Sequence, residues 1–372
     1  MLTSESNEAL TCSGSANARM QALLDSYTST GKEWGLQLAI YRDGKLIVNA
    51  SSGIMEGPDG KPVDEHTLFP VFSTTKGIVA TIMHLLVERG KISYDTPIAE
   101  VWPEFAQNGK DKITLRHALN HTSGLAMISE ECSDYDKLCN WNFMVGLLER
   151  QKPASEPGAV REYHPITYGW IMGEIARRVD GRTIWQLIDE EIRRPLNIHD
   201  MYVGVPAEVE PRIAILKEEA PEPIPVTTTP QITPNWMRPI SKLMNRSDVR
   251  RASIPGANGM MSAAAVARHY AALLPGGVDG VELLPPSRIE QATQLAPDQV
   301  PADDIIALGY RSAITLAGRN LYTFGHAGYG GSFGWACPEK RWAVGFTKNL
   351  FTKVWHVGDI IQAMVDTLEE ES

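Results

Sequence analysis

A chain of 372 residues, 43% hydrophobic and 22% charged, can bury a large core and has the composition of an ordinary soluble protein. Its 35 Lys and Arg against 45 Asp and Glu leave a charge of −10 at pH 7, which argues against nucleic acid or an anionic membrane as the main partner. No apolar run approaches the roughly 20 residues that span a bilayer, and the polar start Met1 to Met20 lacks the order of a secretory signal, so a cytoplasmic protein is expected.

In chain order, residues 8–30 predict a helix with Ala18, Met20, Leu23 and Leu24 as its stripe. Gly35 to Tyr41 and Leu46 to Ala50 flank Asp43-Gly44, a hairpin signal. A loose Gly57-Pro58-Asp59-Gly60 follows, then Leu68 to Ala80, where a polar Ser73-Thr74-Thr75-Lys76 cluster opens a helix that Gly90 stops. Ile78, Val79, Ile82, Met83, Leu85 and Leu86 make this helix apolar on most of its surface, which places it inside a core. Ile92 to Pro97 is a turn leading into short helices, and Thr114 caps a helix that Gly124 ends. His121 and Ser123 stand two apart there and point in different directions, so they read as a structural turn.

After the loop Glu156-Pro157-Gly158, helices are expected over Thr167–Arg178, with Trp170, Ile171, Ile175 and Val179 inward, and over Ile184–Arg194. Glu218 to Pro255 is Pro-rich and irregular, a lid or binding wall in which Trp236 and Met237 offer apolar surface. Ala263–Leu274 is helical with Ser262 as cap, and Leu321–Gly325, Ser332–Cys337 and Trp342–Phe346 read as strands before a closing helix over Val357–Leu368. Strands at both ends with helices between predict an α/β fold: one antiparallel sheet flanked by helices and built from both chain termini, plus a mainly helical inserted lobe. The division is 8–80 with 305–372 for the sheet lobe, and 81–304, including the Pro-rich loop 218–255, for the helical lobe. The cysteines (Cys12, Cys132, Cys139, Cys337) lack metal-site spacing, so no metal is expected.

The chemistry gathers at Ser73. A serine hydroxyl is a poor nucleophile until a base sits beside it, and Lys76, three residues on, shares its helix face. A lysine among apolar neighbours loses its proton more readily and can be that base. A second Ser-x-x-Lys, Ser29 to Lys32, leads into no helix and reads as a solvated turn. Gly330-Gly331-Ser332-Phe333-Gly334 satisfies Gly-x-Ser-x-Gly, yet that motif acts only as a strand-to-helix elbow, and here a strand continues.

Three stretches in order, Ser73-Thr74-Thr75-Lys76, Tyr163-His164-Pro165 and His326-Ala327-Gly328, resemble the serine β-lactamase and penicillin-binding-protein superfamily. The match, from about Gly35 to Asn349, is closest to the class C–like branch that includes the family VIII carboxylesterases. The resemblance implies a β-lactamase-like fold, Ser73 as acylated nucleophile, Lys76 as proton acceptor and Tyr163 as a base lowered by cationic neighbours, His326 among them. It also implies that His326 and Gly328 line the site and that the main-chain N–H groups of Ser73 and Tyr329 form an oxyanion hole. Pro165 stands where the family has Asn or Ser, and His326 where it often has Lys; both departures favour a carboxylesterase over a β-lactamase. A small-molecule ester is then the expected partner, with no metal or organic cofactor; a homo-oligomer is left open. Acyl transfer to another acceptor, β-lactamase or D-peptidase activity, and a non-catalytic binding protein are the alternatives.

Overall fold

In the computed structural model, which describes residues 14–57, 60–219, 232–294, 305–352 and 356–370, Asp43 and Gly44 join β1 (Gly35–Arg42) to β2 (Lys45–Gly53). Both have positive φ, 50° and 72°, the two-residue turn whose twist suits paired strands. Helix α1 (Ser15–Ser29) precedes the hairpin; its expected beginning at residue 8, like Pro58 and Asp59, lies outside the described residues. The C-terminal part supplies β3 (Ile305–Ala307), β4 (Tyr310–Leu316), β5 (Arg319–Ala327), β6 (Phe333–Cys337) and β7 (Trp342–Lys348). The sheet runs β2-β1-β7-β6-β5-β4-β3, antiparallel throughout. Leu38 pairs with Phe346 and Ile40 with Val344, so the sheet is built from both chain ends as expected.

Strands β3 and β4 were not expected. The turn that links β4 to β5, Ala317-Gly318 with φ of 50° and 71°, has the geometry of the first hairpin without the Asn or Asp that announces it.

Both faces of the sheet are covered, which is why β1 is buried without a break from Gly35 to Tyr41. Leu36, Leu38 and Ile40 pack outward with Val344 and Phe346 against α1 and the closing helix α5 (Val357–Glu370). Ala39 and Tyr41 face the larger inner core. There α4 (Ala263–Ala271) starts at Ser262, whose hydroxyl accepts from the Ala265 N–H. It lies so close to β7 that a Cβ on Gly345 would come within 2.1 Å of the Ala263 carbonyl oxygen. Farther in run α2 (Thr74–Glu88), buried from Thr74 to Leu86, and α3 (Thr167–Asp180). Trp170, Ile171 and Ile175 are buried as expected, whereas Val179 is half-buried. The helix expected over 184–194 is α-helical to Ile188 and continues as a π-turn to Arg193.

The stretch expected to be irregular holds helices at Ile240–Met244 and Ser247–Arg251; residues 220–231 lie outside the described set. Met237 is buried in the core, and Trp236 stacks edge-on against Tyr135 while its Nε1 donates to the Cys132 carbonyl at 3.0 Å. Met237 serves packing, which corrects its reading as a surface for substrate; Trp236 is half-buried. No described helix is long and apolar enough to cross a membrane.

Because the Gly345 contact is with backbone, nothing can swing aside. Gly345→Ala is expected to cost about 1–3 kcal/mol by overpacking, seen as a lower urea midpoint at unchanged slope. An unchanged midpoint would mean that α4 lifts off freely.

Candidate active site

Ser73 sits at the N-cap of α2 with helical φ and ψ, −66° and −9°, and its hydroxyl caps nothing. The residue before it, Phe72, has φ of +48°, a strained value for a bulky side chain. Its surroundings hold it there. The Val71 N–H donates to the Gly259 carbonyl at 2.9 Å, Thr75 Oγ1 donates to the Phe72 carbonyl at 2.5 Å, and the Phe72 ring packs on Tyr329 and Phe351. The chain is thereby turned so that Ser73 Oγ points along α2 toward Lys76.

Lys76 Nζ lies 3.1 Å from Ser73 Oγ, 2.7 Å from the Pro165 carbonyl oxygen and 2.6 Å from that of Gly256. Its side chain is wholly buried, and burial first, then the nearby Arg311 charge, pushes its pKa well below the usual lysine range. A neutral amine has two N–H groups and one lone pair. The two carbonyls take the N–H groups, which leaves the lone pair for the Ser73 proton. After transfer the ammonium finds three acceptors already in place, so the geometry serves both protonation states. Buried Lys110 is the contrast. Its Nζ donates to three carbonyls, Gln107, Glu149 and Gln151, at 2.8, 2.9 and 2.6 Å, and its pKa is pushed down only to about 8.

The Tyr163 ring centroid is 5.0 Å from Lys76 Nζ, so the third expected residue does reach the pair. Its backbone is held by the turn that the sequence marks as structural. The His164 N–H donates to His121 Nδ1 at 3.1 Å, and the Glu162 N–H donates to the His121 carbonyl at 3.0 Å. His164 Nδ1 faces the Glu162 carbonyl at 2.5 Å, so it carries the ring proton, and Nε2 accepts from the Ser123 hydroxyl at 2.7 Å. Ser123 and His121 thus hold Tyr163 in place across 41 to 43 residues of sequence, a separation that no local pattern reveals.

His326 is fully buried near Tyr163, with ring centroids 6.2 Å apart and its Nδ1 2.7 Å from the Ala327 carbonyl oxygen. Burial, with Lys76 and Arg311 nearby, drives its pKa well below 6.5. His326 is neutral, so the expectation that it lends positive charge to Tyr163 is corrected. A residue on the unexpected strand β4 is placed to lend it: the Arg311 guanidinium lies 5.4 Å from the Tyr163 ring centroid.

Gly328 follows β5 directly, where a Cβ would stand 2.1 Å from the Val71 carbonyl oxygen, so only glycine lets this turn close on the start of α2. Tyr329 follows, its side chain half-exposed and packed on Phe72 and Phe351. Ser332 is buried in the turn between β5 and β6, its hydroxyl accepting from the Lys348 N–H at 3.3 Å, with no helix after it. Lys32 is exposed at the end of α1. Neither Ser332 nor Ser29 has the setting of Ser73. Among the described residues, no three His, Cys, Asp or Glu side chains gather to hold a metal ion.

A family profile described as Beta-lactamase matches residues 20–368. The chain belongs to the β-lactamase family. Within it, the chain is 30% identical over 365 residues to the esterase/β-lactamase LipL of Mycobacterium tuberculosis, covering 90% of this chain and 82% of LipL. The crystal structure of a family VIII carboxylesterase, at 27% identity, superposes with a TM-score of 0.84 over 96% of this chain and 99% of that one. A penicillin-binding-protein homologue from Caulobacter crescentus gives 0.83 at 30% identity, over 96% and 99%. The β-lactamase-like fold follows from these matches.

If Lys76 and Tyr163 share one proton path, Lys76→Ala and Tyr163→Phe should each lower turnover of a p-nitrophenyl ester at least about a hundredfold. The double variant should be little worse than either. Multiplicative losses in steady-state rates would count against a shared path.

Proposed function

We propose that this protein is a serine carboxylesterase that cleaves small, uncharged carboxylic esters through an acyl-enzyme on Ser73. The observation that carries the proposal is Lys76: a buried amine with both N–H groups engaged by carbonyls and Ser73 Oγ at its third position. Lys76 takes the hydroxyl proton as Oγ attacks the ester carbonyl carbon. The oxyanion is received by the main-chain N–H groups of Ser73 and Tyr329, a contribution of several kcal/mol when such donors are preorganised. The proton passes by way of Tyr163 to the leaving alkoxide, and water repeats the sequence on the acyl-enzyme. The esterase names of LipL and of the family VIII structure support the reading.

Two departures narrow the substrate. Pro165 has no side-chain amide to align an acylamino group, and its carbonyl is already used by Lys76. His326 is neutral and buried, so the strand position where the family often carries lysine offers a substrate carboxylate no charge. An ester needs neither contact. We also place the protein in the cytoplasm, a reading supported by the free cysteines Cys132, Cys139 and Cys337.

Intact-protein mass spectrometry after a slow activated ester should show one acyl group added to the wild type. Ser73→Ala should show none and should lose hydrolysis with its fold intact. Retained acylation in Ser73→Ala, together with its loss in Ser332→Ala, would move the nucleophile to Ser332.

Substrate choice gives a second check. In one buffer, kcat/KM for a neutral p-nitrophenyl ester should far exceed that for a chromogenic cephalosporin. A cephalosporin value equal to or above the ester's would make the protein a β-lactamase by activity.

A further inference from the structure

Among the described residues, the titratable groups around the Lys76–Tyr163 pair come from several elements, and most of them can carry no charge there. The turn after Leu119 contributes His121, the segment before α3 contributes His164, α3 contributes Tyr168, and β5 contributes His326. Burial drives His121 and His326 well below the usual histidine range and His164 to about 4, while it pushes the Tyr168 phenol up. All of these stay neutral near pH 7. Lys76 is itself the reacting group. Among the described residues, the charge that remains beside the pair is the Arg311 guanidinium. It reaches the site from β4, opposite Gly325, the residue before His326.

We infer that Arg311 is a positioning residue of the ester-hydrolysing site, its guanidinium 5.4 Å from the Tyr163 ring centroid supplying the fixed positive charge under which Tyr163 and Lys76 pass the reaction proton. The inference rests on the esterase reading above. A fixed cation favours phenolate over phenol and amine over ammonium, so it moves both partners toward their proton-accepting forms. The same charge is among those that lower Lys76, His121 and His326. At this distance and an effective dielectric near 20, a unit charge shifts a neighbour by roughly two pH units. Arg311 thus fills the electrostatic place that the sequence assigns to His326.

The test is the pH profile of kcat/KM for a neutral p-nitrophenyl ester from about pH 5 to 10, in the wild type and in Arg311→Lys, Arg311→Gln and Arg311→Met. Thermal melting of each variant accompanies it. The acid limb should move up by about one pH unit or more in the Gln and Met variants, a roughly tenfold loss on the acid side that shrinks as pH rises. Arg311→Lys should keep the wild-type midpoint. The midpoint does not depend on how much of a sample is folded, so a destabilised variant still gives an answer. Profiles lowered uniformly, with the midpoint unmoved, would reduce Arg311 to a structural role and overturn the inference. So would a rise in KM confined to an anionic ester with the midpoint unmoved, which would make Arg311 a substrate contact. If the wild type forms no Ser73 adduct, the esterase reading fails; if it does and the midpoint stays, only the role of Arg311 fails.

Discussion

The burial of one amine governs this site. Placing Lys76 Nζ out of water, with carbonyls from Pro165 and Gly256 and the Ser73 hydroxyl around it, makes the charged form costly without leaving the neutral form unsatisfied. The three contacts come from three parts of the chain: the start of α2, the segment before α3 and the loop before Gly259. Each must be brought to the same point within a few tenths of an ångström. Much of the remaining architecture is the means of doing so.

Two devices bring them together. At the start of α2, Phe72 is held at positive φ by hydrogen bonds to its neighbours and by the rings of Tyr329 and Phe351. Gly328 allows the β5–β6 turn to press against the same place, with Thr74 Oγ1 donating to the Ser332 carbonyl at 3.2 Å. On the other side, the His121–Ser123–His164 contacts fix the segment before α3 that carries both Tyr163 and the Pro165 carbonyl. A buried histidine left without its partners would cost about 1–3 kcal/mol, so these contacts make that segment rigid as well as correctly placed.

The departures from the family pattern change meaning once the backbone is visible. Pro165 lacks a side-chain amide, yet its carbonyl is one of the two that Lys76 needs. His326 occupies the family position on β5, but a fully buried imidazole among basic groups holds no charge. The charge near Tyr163 comes instead from Arg311, one strand farther toward the sheet edge. A motif position and an electrostatic role have separated, which is possible because a long arginine side chain can carry charge across a neighbouring strand.

Local chemistry was enough to determine the hairpin at Asp43-Gly44, the buried helix after Ser73, the caps at Thr114 and Ser262, and the pairing of Ser73 with Lys76. Each rests on residues within a few positions of one another, where turn geometry and helical spacing act directly. Ordered motifs extended the reading to the family and to Tyr163. Tertiary structure alone decided the rest. The Ala317-Gly318 turn after β4 lacks the Asn or Asp that announces a hairpin, so Arg311 could not be placed; the partners of His164 lie 41 and 43 residues away; Met237 looks available in sequence and is buried in space. The charge on His326 was the hardest to read, because a histidine's protonation depends on how much water and how many cations surround it, and neither is a property of adjacent residues.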